Sequence, residues 1–188
     1  MRSQRSRSPG FTTSFWGPAS SKNSLDARLS RYLSPPLFPV HFRDLPSVAC
    51  HEIPIEASDI GQFKIEASLV CHPDPTLGYR IGLDDHIVAY IPDHESALCQ
   101  TDGAWPNAEW ISGYDLTLNA DLLIHDARYT DQDYAERIGY GRSCYRHAFD
   151  FASLTNVSAL VPFYHDPSHD DQTLDRLLSE SLQRFEPG

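Results

Sequence analysis

Val88-Ala89-Tyr90-Ile91-Pro92-Asp93-His94-Glu95 is an apolar run that stops at a proline and opens into three consecutive polar side chains. The apolar part reads as a buried strand, and Pro92, which has no N–H to donate, ends its ladder. An acid just beyond a buried strand stands at the rim of a sheet, where a rigid scaffold presents side chains to a ligand. The same arrangement recurs twice. Leu69-Val70-Cys71 leads into His72 and Pro73, and Leu160-Val161-Pro162-Phe163-Tyr164 leads into His165, Asp166 and Pro167. Three strands thus end in His, Asp and His, a common ligand set for zinc, iron or manganese. A His or Asp at a strand end also serves as a plain turn former, and no local spacing ties the three together.

Outward from these runs, Phe63 to Val70 alternates apolar and polar side chains and reads as a half-buried strand. Tyr79–Leu83 and His86–Ile91, separated by Asp84-Asp85, read as a hairpin with an acidic turn. Further strands are expected at Phe38–Phe42, Glu52–Ala57, Asp121–His125 and Val157–Tyr164. Helices are expected at Leu25–Leu33, Asp131–Arg137, from a Ser143 cap to about Leu154, and at Asp170–Phe185. Antiparallel strands first and β/α alternation later place the chain in the α+β class.

The chain has 188 residues and a formal net charge of −11. Residues 1–31 carry six basic side chains and one acid, whereas the remainder carries nine basic and 25 acidic ones. An acidic body repels polyanions, so nucleic-acid binding through a broad basic face is disfavoured. No apolar run approaches the roughly 18 residues of a membrane span. The four cysteines, Cys50, Cys71, Cys99 and Cys144, form no C-x-x-C pair and read as reduced thiols of a cytoplasmic protein. Residues 1–14 are expected to be a basic disordered tail ahead of a domain at 15–188.

Taken together, Cys71-His72-Pro73 with Gly78-Tyr79-Arg80-Ile81, the 88–95 run, Ala120-Asp121-Leu122-Leu123-Ile124-His125-Asp126-Ala127-Arg128-Tyr129, and Phe163-Tyr164-His165-Asp166-Pro167 closely resemble the metallo-β-lactamase superfamily. The nearest branch resembles the phosphodiesterases and tRNA 3′-processing nucleases. The resemblance implies an αββα sandwich with metal at the sheet rim, one or two zinc ions, manganese or iron serving as well. It makes His72 a ligand of one metal, Asp93 the bridging carboxylate and His165 a ligand of the second. The activity implied is metal-dependent hydrolysis, with a small phosphodiester or other ester as substrate. A carboxylate between two cations suits that chemistry, because it helps bring a shared water into the neutral pKa range.

Two departures from the family pattern stand out. Its first metal site, His-x-His-x-Asp-His, has no counterpart, since the first histidine in the chain is His41. The chain therefore reads as an N-terminally truncated sandwich, with an uncovered sheet face that favours homo-oligomers. The alternative reading is a non-catalytic relative, either a gene fragment or an interaction module. In addition, Arg142 stands where the family tends to have a histidine that pairs with the acid at Asp126 to relay a proton. Arginine does not release a proton near neutral pH, so Asp126 and Arg142 are expected to form a fixed ion pair, with Arg142 limited to clamping a phosphate.

Overall fold

Residues 12–20, 22–53 and 57–184 are described in a computed structural model, which divides into two compact units. The unit ending at Pro54 holds β1 (Thr13–Pro18), α1 (Leu25–Tyr32), a 3-10 turn at Phe42–Asp44 and β2 (Val48–Ile53). β1 and β2 pair in parallel, Thr13 opposite Val48 through Pro18 opposite Ile53. Phe15 meets Phe42 edge to face at 5.8 Å, and Trp16 stacks on His51 at 4.4 Å, so the aromatic side chains of this unit pack on one another. Phe38–Phe42, expected to be a strand, forms bends that lead into the 3-10 turn. The expected strand at Glu52–Ala57 is displaced: β2 ends at Ile53, and Pro54, Ile55 and Glu56 lie outside the described residues. The expected tail at 1–14 lies largely outside them too, although β1 already includes Thr13 and Ser14.

The second unit begins at Ile55 and is built on a six-stranded sheet in the order β3-β4-β5-β6-β7-β8. These strands are Ser58–Ile60, Phe63–Val70, Thr76–Leu83, His86–Ile91, Leu122–Asp126 and Leu160–Phe163. Pairing is antiparallel from β3 to β6 and parallel from β6 to β8. The hairpin turns at Asp84, which adopts a φ of 51°, a conformation that aspartate tolerates better than most residues. Helices α2 (Tyr114–Thr117), α3 (Asp131–Ala135), α4 (Tyr145–Leu154) and α5 (Asp171–Arg184) complete the unit.

Alternation along the strands divides the sheet into two faces. Ala89, Ile91 and Leu123 are fully buried and join Val70, Ile111, Leu116 and Phe151 in the main core, so α2 and α4 lie on that side. A second cluster, with Ala127, Tyr145, Ala148 and Phe149, receives Leu177 from α5. The opposite face is also apolar, and Leu69, Val161 and Phe163 on it are exposed. No helix among the described residues is long and apolar enough to cross a membrane.

Candidate active site

Strand direction decides where the candidate residues emerge. β4 and β6 both run antiparallel to β5, whereas β7 and β8 run parallel to β6, so β4, β6, β7 and β8 all finish on one edge. His72 follows β4 by two residues, Asp93 follows β6 by two, Asp126 closes β7 and His165 follows β8 by two. Four separate segments therefore deliver two histidines and two carboxylates to the same rim. Adjacent strands lie roughly 4.8 Å apart, which sets the histidines at opposite ends of the row with the acids between them.

Arg142 lies across the middle of this row. Its Nη1 donates to Asp93 Oδ1 and, at 3.2 Å, to Asp126 Oδ2. The expected Asp126–Arg142 pair is present, and Asp93 joins it. The guanidinium also lies 4.0 Å from the centre of the Tyr164 ring, within cation–π range. Asp126 is fully buried and accepts from the backbone N–H groups of His94, Arg128 and Ser143. Burial pushes its carboxyl up to about 8. The three amides, Arg128 and the Arg142 guanidinium all favour the ionised form. Because Arg142 is committed to two carboxylates, the phosphate clamp considered for it has no free donor at Nη1.

The outer histidines have their own partners. The Asp74 N–H donates to His72 Nδ1 at 3.2 Å, while His165 Nδ1 and the Tyr145 hydroxyl share a hydrogen bond at 2.9 Å. Burial lowers the His165 pKa, and His169 adds to that shift.

Glu95 explains why Arg142 stands where it does. Its carboxylate, with no exposed surface, accepts from the Tyr134 hydroxyl at 2.9 Å, the Gly139 N–H at 2.8 Å and the Gly141 N–H at 2.7 Å. Those two amides belong to the turn that runs directly into Arg142. Gly141 has a φ of 79°, and a Cβ there would stand 2.4 Å from His72 Cδ2 and from Pro73 Cδ. Only glycine passes this close to the histidine without displacing it. Sequence reasoning did not single out Glu95, because its partners are 39 to 46 residues away. The available signal was a third polar residue in a row directly after a buried strand.

His94, the residue after Asp93, turns inward. His125 Nδ1 lies 2.8 Å from the Asp126 carbonyl oxygen, which only accepts, so that nitrogen carries the proton. Burial holds His125 down to about 4 and His94 well below the usual histidine range. Both rings are therefore neutral at pH 7, and His125 Nε2 must accept from the His94 Nδ1–H at 2.9 Å. His94 Nε2 has no hydrogen-bond partner among the described residues. Ser143, expected to cap α4, donates instead to the His94 carbonyl at 2.7 Å. Cys144 takes the cap position without a side-chain bond.

The side chains in this arrangement do not fit a metal ion. Among the described residues no three His, Cys, Asp or Glu side chains are grouped to hold one. Asp93, the carboxylate that would bridge, is bound to a fixed cation.

No family model matches the chain, and no curated protein matches it. Solved structures do match. The metallo-β-lactamase fold protein YhfI from Bacillus subtilis superposes with a TM-score of 0.60 at 19% identity, over 90% of this chain and 59% of its own. The chain has the metallo-β-lactamase fold. Zn2+-bound PqqB from Methylobacterium extorquens (TM-score 0.57, 14% identity, 90% of this chain and 61% of its own) shares it. So does the short form of human tRNase Z (0.56, 19%, 84% and 62%). This chain thus spans about three fifths of the length of each of these metallo-β-lactamase fold structures.

Proposed function

We propose that this chain is a phosphodiesterase-like hydrolase of the metallo-β-lactamase fold that supplies part of a metal centre, with the remaining ligands coming from outside the row His72, Asp93, Asp126 and His165. The observation that carries this reading is the arrival of those four side chains at one edge of the sheet from four separate strand ends. Zinc, with manganese or iron as substitutes, is the metal class that a His and Asp donor set prefers. The substrate class is a small phosphodiester or related ester, in keeping with an acidic body that repels polyanions.

Turnover of bis(p-nitrophenyl) phosphate with added Zn2+ or Mn2+ tests it. The wild-type chain is expected to be slow, and Arg142→His, which restores a group able to carry a proton, should be faster by roughly a hundredfold. Adding His72→Ala, Asp93→Ala or His165→Ala to Arg142→His should abolish that gain. A second reading, the non-catalytic relative, is favoured by the engagement of Arg142 with both rim carboxylates. It prevails if no variant exceeds the metal-only rate.

A further inference from the structure

We propose that Arg142 is a tethered counter-cation, whose guanidinium occupies the place between Asp93 and Asp126 that a divalent ion would need, so that the rim excludes metal while the 139–142 turn stays docked. The inference rests on the metal-centre reading above and adds a device that controls access to it.

Two sets of contacts hold the guanidinium, and a third holds the turn that carries it. One nitrogen, Nη1, touches both carboxylates. Tyr164 lies against its face. Behind it, Glu95 binds the amides of Gly139 and Gly141, and Gly141 is wedged against His72 and Pro73. Arg142 therefore does not reach the acids as a free surface side chain would. It is delivered by a turn whose backbone is itself anchored to a buried carboxylate. A guanidinium stays charged at every ordinary pH, so the block has no protonation route for release. Divalent ions approaching Asp93 meet a positive charge already in contact with the oxygen they need, and Asp126 is shielded by the same group. Release requires movement of the turn. Because Glu95 belongs to the segment that follows β6, whatever draws residues 139–141 off Glu95 also withdraws the cation from Asp93.

The experiment is equilibrium binding of Zn2+ and Mn2+ to the full chain by calorimetry, with thermal unfolding with and without each ion as a second readout, since an ion that binds the native state raises its stability. Wild type should show no saturable site that is lost in Asp93→Asn. Arg142→Ala and Arg142→Gln should each gain one, tighter than wild type by at least about a hundredfold. Arg142→Lys, which keeps the charge, should stay nearly closed, and Glu95→Gln, which loosens the turn, should be intermediate. A wild-type site that is lost in Asp93→Asn overturns the proposal, as does a folded Arg142→Ala or Arg142→Gln with no gain. If Arg142→Ala does not fold, Arg142→Gln and Glu95→Gln decide by the same criteria. Gain of metal without turnover in Arg142→His would leave the tether standing and defeat the hydrolase reading. Turnover in Arg142→His without gain of metal in Arg142→Ala would do the reverse.

Discussion

Asp93 and Glu95 are two residues apart and are satisfied in opposite ways. Asp93, with its side chain about a third exposed, is matched by a full charge on Arg142. Glu95, fully enclosed, is matched only by neutral donors: one phenol and two backbone amides. The partly exposed position keeps water within reach of its carboxylate as well as the cation. The enclosed one has no water to fall back on, so its three donors must all stay in place. The turn behind the rim is therefore structural, and through it the cation is held at Asp93.

The largest expected effect falls on the enclosed member. Glu95→Ala strands two amides and a hydroxyl and should cost on the order of 4 kcal/mol, read from urea unfolding. A loss below about 1 kcal/mol would erase the distinction between the two carboxylates.

The next effect comes from the imidazoles that lie behind Asp93. His125, held at about 4, binds its proton later in the native state than when unfolded, so the unfolded chain takes up the proton first as pH falls. The stability that neutral His125 supports is whole above pH 6.5 and is lost as pH drops from 6.5 towards 4, by about 3 kcal/mol. Burial of Asp126 acts with the opposite slope, and its contact with Arg142 opposes that. The difference between wild type and His125→Asn removes that contribution. Urea unfolding of the pair from pH 4 to 8 should show the wild type converging on, or falling below, the variant at the acid end. Parallel curves would refute the neutral pair.

The smallest effect belongs to Asp93→Asn. It removes one charge from a partly exposed pair while Asp126 still holds Arg142, and should change stability by less than about 1 kcal/mol in the same assay. Its signature is lowered salt sensitivity rather than lost stability.

The sheet was legible in sequence where the signal is local. Phe63–Val70 declares itself by alternation, and the following hairpin by two short runs around Asp84-Asp85. The parallel pairing of β1 with β2 left no such mark, because its partners are 35 residues apart and the helix between them carries most of the pattern. Phe38–Phe42 misled for a related reason: apolar residues among prolines resemble a strand whether or not a neighbouring strand pairs with them. The rim residues His72, Asp93 and His165 could be named from their place after apolar runs. Which of them meet could not, since that depends on strand order. Arg142 drew notice as a departure from a pattern, and its second partner, Asp93, is 49 residues away.

The His94–His125 pair behaves as a strut. Both protons lie on the side facing the Asp126 carbonyl, and both lone pairs face the other way. A proton arriving at His94 Nε2 would charge a ring that its apolar surroundings keep neutral, and the carbonyl at the far end, an amide oxygen, does not take up the proton that His125 would have to pass on. Nothing can therefore be conducted through the pair. What it does instead is fasten the segment after β6 to β7 with a bond whose direction is fixed by the backbone. The row of acids at the rim keeps its spacing only as long as both rings remain uncharged.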